Sequence, residues 1–387
     1  MYKAGKVIIV ISGLLSMFVA FHFTLMIYDN AYFYTTLRQT IFKGRLGPAI
    51  DDLSTYKSNT IVGINAVVFN PTSSPKELSE ADLKIHSDYK STAFLVIKNK
   101  KVVYENYWLG TDKNTVSNSF SMSKTMVSSL VGVALQQGFI NSVNQTVGDF
   151  LPDYCNGNFG TITIKQLLQM SSGINFDESY LNPFAFPAKA YYGKNLETLL
   201  CDYKLTSAPG VYYEYQGGAT QLLAFVLEKA SGLTLSDLLQ QYIWKPIKAS
   251  DAFWVLDFEG GSEKASCCVY ATARDFAKFG QLYLDSGRID STQIIPIWYL
   301  KESITATGLI DKKDNAVVDF YGYQWWLTNH KGFDVYFARG ILGQYIFCVP
   351  EKDLIVVRLG HIRSKEKTKK HPKDVYNWLD MALKLAE

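Results

Sequence analysis

The segment from Ser121 to Gly138 constrains this chain more than any other. Met126, Val127, Leu130, Val131, Val133, Ala134 and Leu135 make a broad apolar helix face, and Gly138 is a stop signal. A helix apolar over so wide an arc belongs inside a core. At its head stands Ser121-Met122-Ser123-Lys124. Residues three apart share a helix face, with Cβ atoms roughly 5–6 Å apart, so Ser121 Oγ and Lys124 Nζ meet without help from the rest of the fold. A serine hydroxyl is a weak nucleophile until a base takes its proton, and a desolvated lysine is such a base. The Ser121 N–H, opening a helix, is also free to donate to an oxyanion.

The spacing recurs at Ser54–Lys57, Ser73–Lys76, Ser87–Lys90 and Ser364–Lys367, so context has to decide. Ser73 sits in a Ser/Pro turn and Ser364 in a basic run, while Ser54 and Ser87 have no apolar helix behind them. Only Ser121 leads into a helix that would desolvate its lysine. On this motif alone, an ordinary helix start remains the alternative.

With 387 residues the chain can bury a large core as one large or two intimate domains. A net charge of +3 is too small to imply nucleic acid as a partner. Residues 7–28 form an apolar run, preceded by Lys3 and Lys6, with no acidic or strongly basic residue inside it. About 20 such residues span a bilayer, and no small-x-small cleavage site follows. The expectation is an uncleaved signal anchor over residues 1–29, with a buried N-terminal helix as the alternative. The two lysines favour a cytoplasmic N-terminus and a periplasmic or extracellular catalytic domain, although Arg38, Lys43 and Arg45 pull the other way. Cys155, Cys201, Cys267, Cys268 and Cys348 are odd in number and lack metal-ligand spacing. They read as buried free thiols, with a Cys155–Cys201 bridge as the alternative; Cys267 and Cys268 would form only a strained vicinal disulfide.

Residues 30–84 read as a lead-in packed on the domain, because Ile61, Val62, Ile64, Val67, Val68 and Phe69 need burial. Within it, Lys76 to Lys90 suggests a helix with Pro75 at its start. Thr92 to Lys98 and Lys101 to Trp108 are strand-like and meet at Asn99-Lys100, a hairpin signal. Helical patterns fill the middle of the chain, including Ile164 to Met170, Leu196 to Cys201, Thr220 to Ala230 and Thr272 to Ser286. Tyr321 to Thr328, Val335 to Ala338, Gln344 to Val349 and Leu354 to Leu359 return to strand character, and Lys373 to Leu385 closes the chain as a helix. Strands at both ends with helices between predict an α+β fold: one antiparallel sheet flanked by helices, beside a mostly helical insertion. The principal domain is set at 85–387. The basic run from Arg363 to Lys373 is a solvated loop, with contact to anionic headgroups as the alternative.

Further segments add to the Ser121 motif. They are Tyr213-Glu214-Tyr215-Gln216-Gly217-Gly218, Tyr321-Gly322-Tyr323-Gln324-Trp325-Trp326, and Arg339-Gly340-Ile341-Leu342-Gly343-Gln344-Tyr345 before a strand. Together with Ile164-Lys165-Gln166-Leu167-Leu168 and Met170-Ser171-Ser172-Gly173, they resemble the β-lactamase-related serine hydrolases. That superfamily holds class C β-lactamases, D-alanyl-D-alanine carboxypeptidases, related esterases and 6-aminohexanoate-dimer hydrolase. The resemblance runs from about residue 85 to the end. It implies a β-lactamase/transpeptidase-like fold, Ser121 as acylated nucleophile, Lys124 as its partner and Tyr215 as the tyrosine of a Tyr-x-Asn motif. It also implies that Gly340 to Gly343 lines the cleft, with the Ile341 N–H as second oxyanion donor beside that of Ser121.

Two departures weigh on substrate. Gly217 replaces the Asn of Tyr-x-Asn; Gln216 is the candidate to stand in for it, although an adjacent position usually points elsewhere. Ala338-Arg339-Gly340 replaces Lys-Thr-Gly, so Arg339 is the one nearby cation, pointing either into the cleft or across the strand. Both shift weight from penicillins towards esters or linear amides. His22, His86, His330, His361 and His371 lie in the anchor or in polar surroundings, and no Gly-x-Ser-x-Gly elbow occurs, so a Ser-His-Asp triad is not expected. Neither a metal nor a cofactor is called for. The reading is a membrane-anchored serine hydrolase acting through an acyl-enzyme on small ester or linear amide substrates. A cell-wall D-amino-acid carboxypeptidase or β-lactamase-like enzyme is one alternative, and a catalytically decayed ligand-binding protein of the same fold is another.

Overall fold

Both ends of the chain meet in one seven-stranded sheet. In the computed structural model, which describes residues 2–27, 30–73 and 76–387, its order is Trp326–His330, Phe333–Gly340, Gln344–Val349, Leu354–Gly360, Ser91–Lys98, Lys101–Tyr107 and Asn70–Pro71. Neighbours are antiparallel except the last pair. The Ser91–Tyr107 hairpin turns at Asn99 and Lys100, both with positive φ (49° and 60°), the geometry whose twist suits a two-residue turn. Phe94, Leu95, Val96, Ile355, Val356 and Val357 are fully buried because both faces of the sheet are covered. On one face Trp378 of the closing helix Asp374–Leu385 meets Phe94. On the other, Gly280 of helix Ala273–Leu284 approaches Ile346 and Ile355 so closely that an added Cβ would lie 3.0 Å from Ile346.

Helix Met122–Gln137 is buried from Met122 to Ala134 and stops at Gly138, whose φ of 75° suits glycine. A mostly helical region follows. Thr146 and Thr163 each open a short helix with a capping box, and helix Gly217–Ser231 packs its buried residues against the Ser121 helix. This last helix takes in Gly217 and Gly218, beginning earlier than the Thr220 start its pattern suggested.

A second sheet leaves no clear signal in the sequence. Ser58–Ile61, Ala252–Val255, Val269–Thr272 and Val116–Asn118 form four short antiparallel strands. Strands this short give little periodic signal, and their partners lie far apart in the chain. This sheet ties Ser58–Ile61 of the lead-in to the rest, although Val62, Ile64 and Val67, expected to need burial, are exposed, and it sets the residues before Val269 beside the segment leading to Ser121.

Three expectations change. The helix expected over Lys76 to Lys90 forms only at Glu80–Asp88, where Ser79 and Asp82 make the capping box; Pro75, its expected start, lies outside the described residues. Four of the five cysteines are paired rather than free: Cys155–Cys201 and the vicinal Cys267–Cys268, leaving Cys348 as a buried thiol. The first bridge spans 46 positions, a loop whose closure is worth about 4 kcal/mol on chain entropy. The apolar N-terminus is helical over Tyr2–Ile27, and the remainder of the run, Tyr28, lies outside the described residues. Among the described residues, however, no single helix is long and apolar enough to cross a membrane. Ile11–Ile27 and Tyr32–Lys43 reach that measure only as a pair bent by 115°. The second member turns onto the helical region, where the Tyr32 hydroxyl donates to Pro183 O at 2.8 Å and Phe33 stacks on Phe184.

Candidate active site

Ser121 is the cap residue of its helix, reached through Phe120, whose φ of 44° is rare for a residue with a side chain. A serine at this position usually turns its hydroxyl onto the helix backbone; Ser121 does not. Ser121 lines a cleft, and its Oγ lies 3.2 Å from Lys124 Nζ. Lys124 is 2% exposed, and its amine nitrogen also donates to the Ser266 carbonyl at 2.7 Å. No acceptor takes the Ser121 N–H among the described residues.

Tyr215 stands just before helix Gly217–Ser231, and Lys124 Nζ lies 5.2 Å from the centre of its ring. Trp326 and Tyr321 pack on other parts of that ring at 5.4 and 6.0 Å. Among the described residues its hydroxyl makes no hydrogen bond to Ser121 or Lys124. Ser121, Lys124 and Tyr215 are therefore assembled with the lysine in the middle.

Ile341 opens a tight turn over Ile341–Gly343 and lines the same cleft as Ser121. Gly340 is required by close approach: a Cβ there would stand 2.4 Å from Ser119 O, pushing the strand off the segment that carries Ser121. Gly343, at φ 88°, packs on Arg358, which donates to its carbonyl at 2.8 Å. It is buried and supports the turn rather than the cleft. Gln216 is turned away from the cleft. Its amide nitrogen donates to Ile174 O at 2.8 Å and its oxygen accepts from Ser172 Oγ, so both ends are spent in the core. Arg339 takes neither expected direction fully. Its guanidinium lies over the Trp326 ring, 3.2 Å from the centroid, with one N–H towards His371 Nδ1 at 3.5 Å. Burial lowers its pKa and the nearby charge of Arg363 adds to the effect; among the described residues no carboxylate pairs with it.

Two residues unnoticed in the sequence sit beside Lys124. Glu178 occupies the space that the absent Asn would need: it accepts from the Gly217 N–H at 2.8 Å and from the Tyr180 hydroxyl at 3.1 Å. A Cβ on Gly217 would fall 3.3 Å from Glu178 Oε1 and 3.2 Å from Phe186. Burial raises the Glu178 carboxyl, opposed first by the charge of Lys124 and then by the Gly217 N–H. Glu178 gave no signal because Asp177-Glu178-Ser179-Tyr180 reads as a plain polar loop. Ser266 was invisible for another reason, since it acts through its backbone carbonyl. The remaining walls, Phe120, Phe186, Pro187 and Tyr191, are apolar.

The histidines stay out of the cleft; His330 does lie in polar surroundings, against Asp380 at 2.8 Å, whereas His86 and His371 are buried. His86 is stacked on Trp108 with centroids 4.6 Å apart, and burial pushes its pKa to about 3. His371 is likewise pushed by burial to about 3 and is bonded to Leu327 O. No group of three or more metal-ligating side chains occurs among the described residues.

A buried lysine between a helix-capping serine and a tyrosine, closed by a glycine strand, is the pattern on which the resemblance rested. The family model for Beta-lactamase matches residues 80–375. The chain belongs to the beta-lactamase family. The 6-aminohexanoate-dimer hydrolase of Paenarthrobacter ureafaciens is 27% identical over 291 residues, covering 69% of this chain and 71% of that protein. Among solved structures, a Bacillus anthracis protein described as a candidate 6-aminohexanoate-dimer hydrolase superposes with a TM-score of 0.72 at 22% identity. It covers 86% of this chain and 90% of its own. A D-stereospecific amidohydrolase from Streptomyces superposes with a TM-score of 0.57 at 18% identity, covering 75% and 93%. The protein is thus a β-lactamase-fold hydrolase with the α+β architecture expected of it.

Proposed function

We propose that this hydrolase forms an acyl-enzyme on Ser121 and acts on linear amides or simple esters. One observation carries the reading: Lys124 Nζ stands within hydrogen-bond reach of Ser121 Oγ, at 3.2 Å, and both residues line one cleft. Ser121 Oγ attacks the substrate carbonyl carbon while Lys124, steadied by Ser266 O, takes the hydroxyl proton. The charge that develops on the carbonyl oxygen falls to the Ser121 and Ile341 N–H groups. Tyr215, beside the lysine, hands a proton to the departing nitrogen or oxygen as the C–N or C–O bond breaks, and takes back the proton that Lys124 received from Ser121, so that the lysine is a free base again. Water then repeats the sequence on the acyl-enzyme. Glu178 supplies the polar neighbour that the missing Asn would have given Lys124.

The substrate class is supported by Ala338 in place of a cation, by the apolar walls, and by the linear amide in the name of the 27% identical relative. We extend the proposal to a membrane-held protein with its catalytic domain outside the cytoplasm. Ile11, Leu15, Met17, Phe18 and Phe23 of the N-terminal helix are all exposed, and apolar side chains left in water on several sides of a helix favour lipid. Two disulfides suit an oxidising compartment.

The test is labelling of the full-length protein with a fluorophosphonate, peptide mapping of the adduct, and turnover of p-nitrophenyl esters, linear amides and nitrocefin. An adduct confined to Ser121 and absent from Ser121→Ala supports the reading. An adduct that persists in Ser121→Ala removes it.

A further inference from the structure

Tyr180 is the exposed end of the cleft lining, 55% open to solvent while its hydroxyl donates to Glu178 at 3.1 Å. The loop that follows it runs outward. Leu181, which is not part of the lining, is 98% exposed, and Phe184 is 42% exposed. A leucine gains no hydrophobic stabilisation from such a position in water.

The same loop is fastened to the N-terminal segment. The Tyr32 hydroxyl donates to Pro183 O at 2.8 Å, and Phe33 stacks on Phe184 with ring centroids 5.6 Å apart. Phe33 in turn meets Phe21 of the N-terminal helix edge-on at 5.8 Å, and His22 Nδ1 lies 3.0 Å from the Tyr34 hydroxyl. Phe21 stands six residues before the helix end at Ile27, about 9 Å along the axis. Contacts therefore lead from well inside the apolar helix, through Phe33 and Phe184, to the loop that carries Tyr180 and Leu181.

Two features of this path suit a bilayer surface. Tyr32, Phe33, Tyr34, Phe184 and Tyr180 gather along it, and rings of this kind sit at the headgroup level of membrane proteins. From Ala31 to Arg45 the chain carries Arg38, Lys43 and Arg45 and no acidic residue, and Arg38 is exposed, which favours contact with anionic headgroups in either leaflet. Ile41 and Phe42 beside them are exposed as well.

We infer that the loop 180–184 is a lip seated in the bilayer surface, so that the cleft opens onto lipid and takes acyl esters or linear amides of amphiphiles carried there. The inference rests on the acyl-enzyme and membrane readings above. A helix that spans the bilayer puts Phe21 inside it, and the loop stacked on Phe33 then lies among the headgroups. The acyl chain of such a substrate enters past Leu181 and Tyr180 and lies along Phe186, Pro187 and Tyr191, the apolar wall. Ser121 takes the acyl group as the C–O or C–N bond breaks, the alcohol or amine leaves with one proton, and water releases one carboxylic acid.

The experiment uses the full chain reconstituted in vesicles of phosphatidylcholine and phosphatidylglycerol. Turnover of p-nitrophenyl palmitate held in the vesicles is compared with that of p-nitrophenyl acetate in the water, for the wild-type protein and Leu181→Asp. Leu181→Cys is labelled with a fluorescent thiol dye and tested for quenching by lipids spin-labelled near the headgroup; the other free thiol, Cys348, is buried. Leu181→Asp is expected to lower palmitate turnover about tenfold, with acetate turnover within twofold and melting within a few degrees. The dye at position 181 should be quenched. Equal losses on both esters, an unchanged palmitate rate, or a wild-type protein that cleaves acetate but not palmitate overturns the inference. So does an unquenched dye in protein that floats with the vesicles and labels at Ser121, and the hydrolase and membrane readings then stand. A dimer that Leu181→Asp takes apart assigns the face to a second copy and overturns the inference as well. Full-length protein that fails to float with the vesicles removes the membrane reading and the inference together. Absence of a Ser121 adduct removes the hydrolase reading and, with it, the inference.

Discussion

The floor of the cleft and its rim are built on different principles. On the floor, Ser121 and Lys124 share one helix, and the lysine is locked between Ser121 Oγ and Ser266 O. On the rim, Glu178, Tyr180 and Ile341 line the cleft from separate loops, and Tyr215 and Arg339 join them from outside that lining, both packed on Trp326. The contrast teaches that reaction type and substrate choice are written in separable parts of the molecule. Floor geometry is local and tolerates little change, whereas rim geometry depends on which loops happen to converge.

The comparison breaks first if the floor is not indispensable. Ser121→Ala should reduce turnover to background and abolish the fluorophosphonate adduct, because no other hydroxyl in the cleft shares the base and the free N–H. Lys124→Ala should cost 10²–10⁴-fold in kcat, the usual range for general acid–base groups. Normal folding by circular dichroism with retained turnover in either variant would mean that the chemistry lies elsewhere.

A smaller effect is expected where floor meets rim. Tyr215→Phe should lower kcat by roughly 10²-fold, as the loss of one proton donor does. Its loss should not add to that of Lys124→Ala in the double variant, since both act on one proton path. Additive losses would show that Tyr215 works apart from the lysine, and full activity in Tyr215→Phe would move its role to Tyr213 or to water.

Legibility followed the same division. Ser121 and Lys124 could be read because three-residue spacing on an apolar helix fixes their contact in advance. The hairpin at Asn99-Lys100 and the strands of the main sheet were legible through the same locality, and Gly340 through its motif. Gln216, offered as a stand-in for Asn, points elsewhere as adjacent positions usually do, because Ser172 and Ile174 draw it inwards. The second sheet, Glu178 and Ser266 depend on pairings between distant segments, such as Ser58–Ile61 with Ala252–Val255. A backbone acceptor leaves no trace in residue identity at all.

Substrate preference sharpens the rim side of the contrast. A lactam brings a carboxylate that wants a fixed cation at the far end of the cleft, yet position 338 is Ala, and Arg339 lies on the ring of Trp326. Simple esters need fewer polar contacts. Their kcat/KM should exceed that for nitrocefin by at least about tenfold, a transition-state difference of about 1.4 kcal/mol. Efficient nitrocefin turnover with negligible ester cleavage would restore a β-lactamase reading of the rim.

The smallest effect tests whether a rim residue can influence the floor by charge alone. Burial raises the Glu178 carboxyl above its ordinary 4.5, and the Lys124 charge opposes that rise. The raised value makes the folded protein hold a proton in a window above pH 4.5 where the unfolded chain has lost it, so stability should fall as pH rises through that window. Activity should move the opposite way. The ionised carboxylate is the form that accepts from both the Gly217 N–H and the Tyr180 hydroxyl, and it completes the surroundings of Lys124 only once the proton has left. Glu178→Gln keeps the shape and removes the charge. It should lower kcat by about fivefold, ~1 kcal/mol, near the worth of one hydrogen bond. It should also flatten both pH trends together, the acid limb of kcat and the decline of melting temperature. Measured side by side on the wild-type protein and the variant, an acid limb left in place by Glu178→Gln would confine this carboxylate to bracing the loop, and the floor would then depend on the rim through Tyr215 alone.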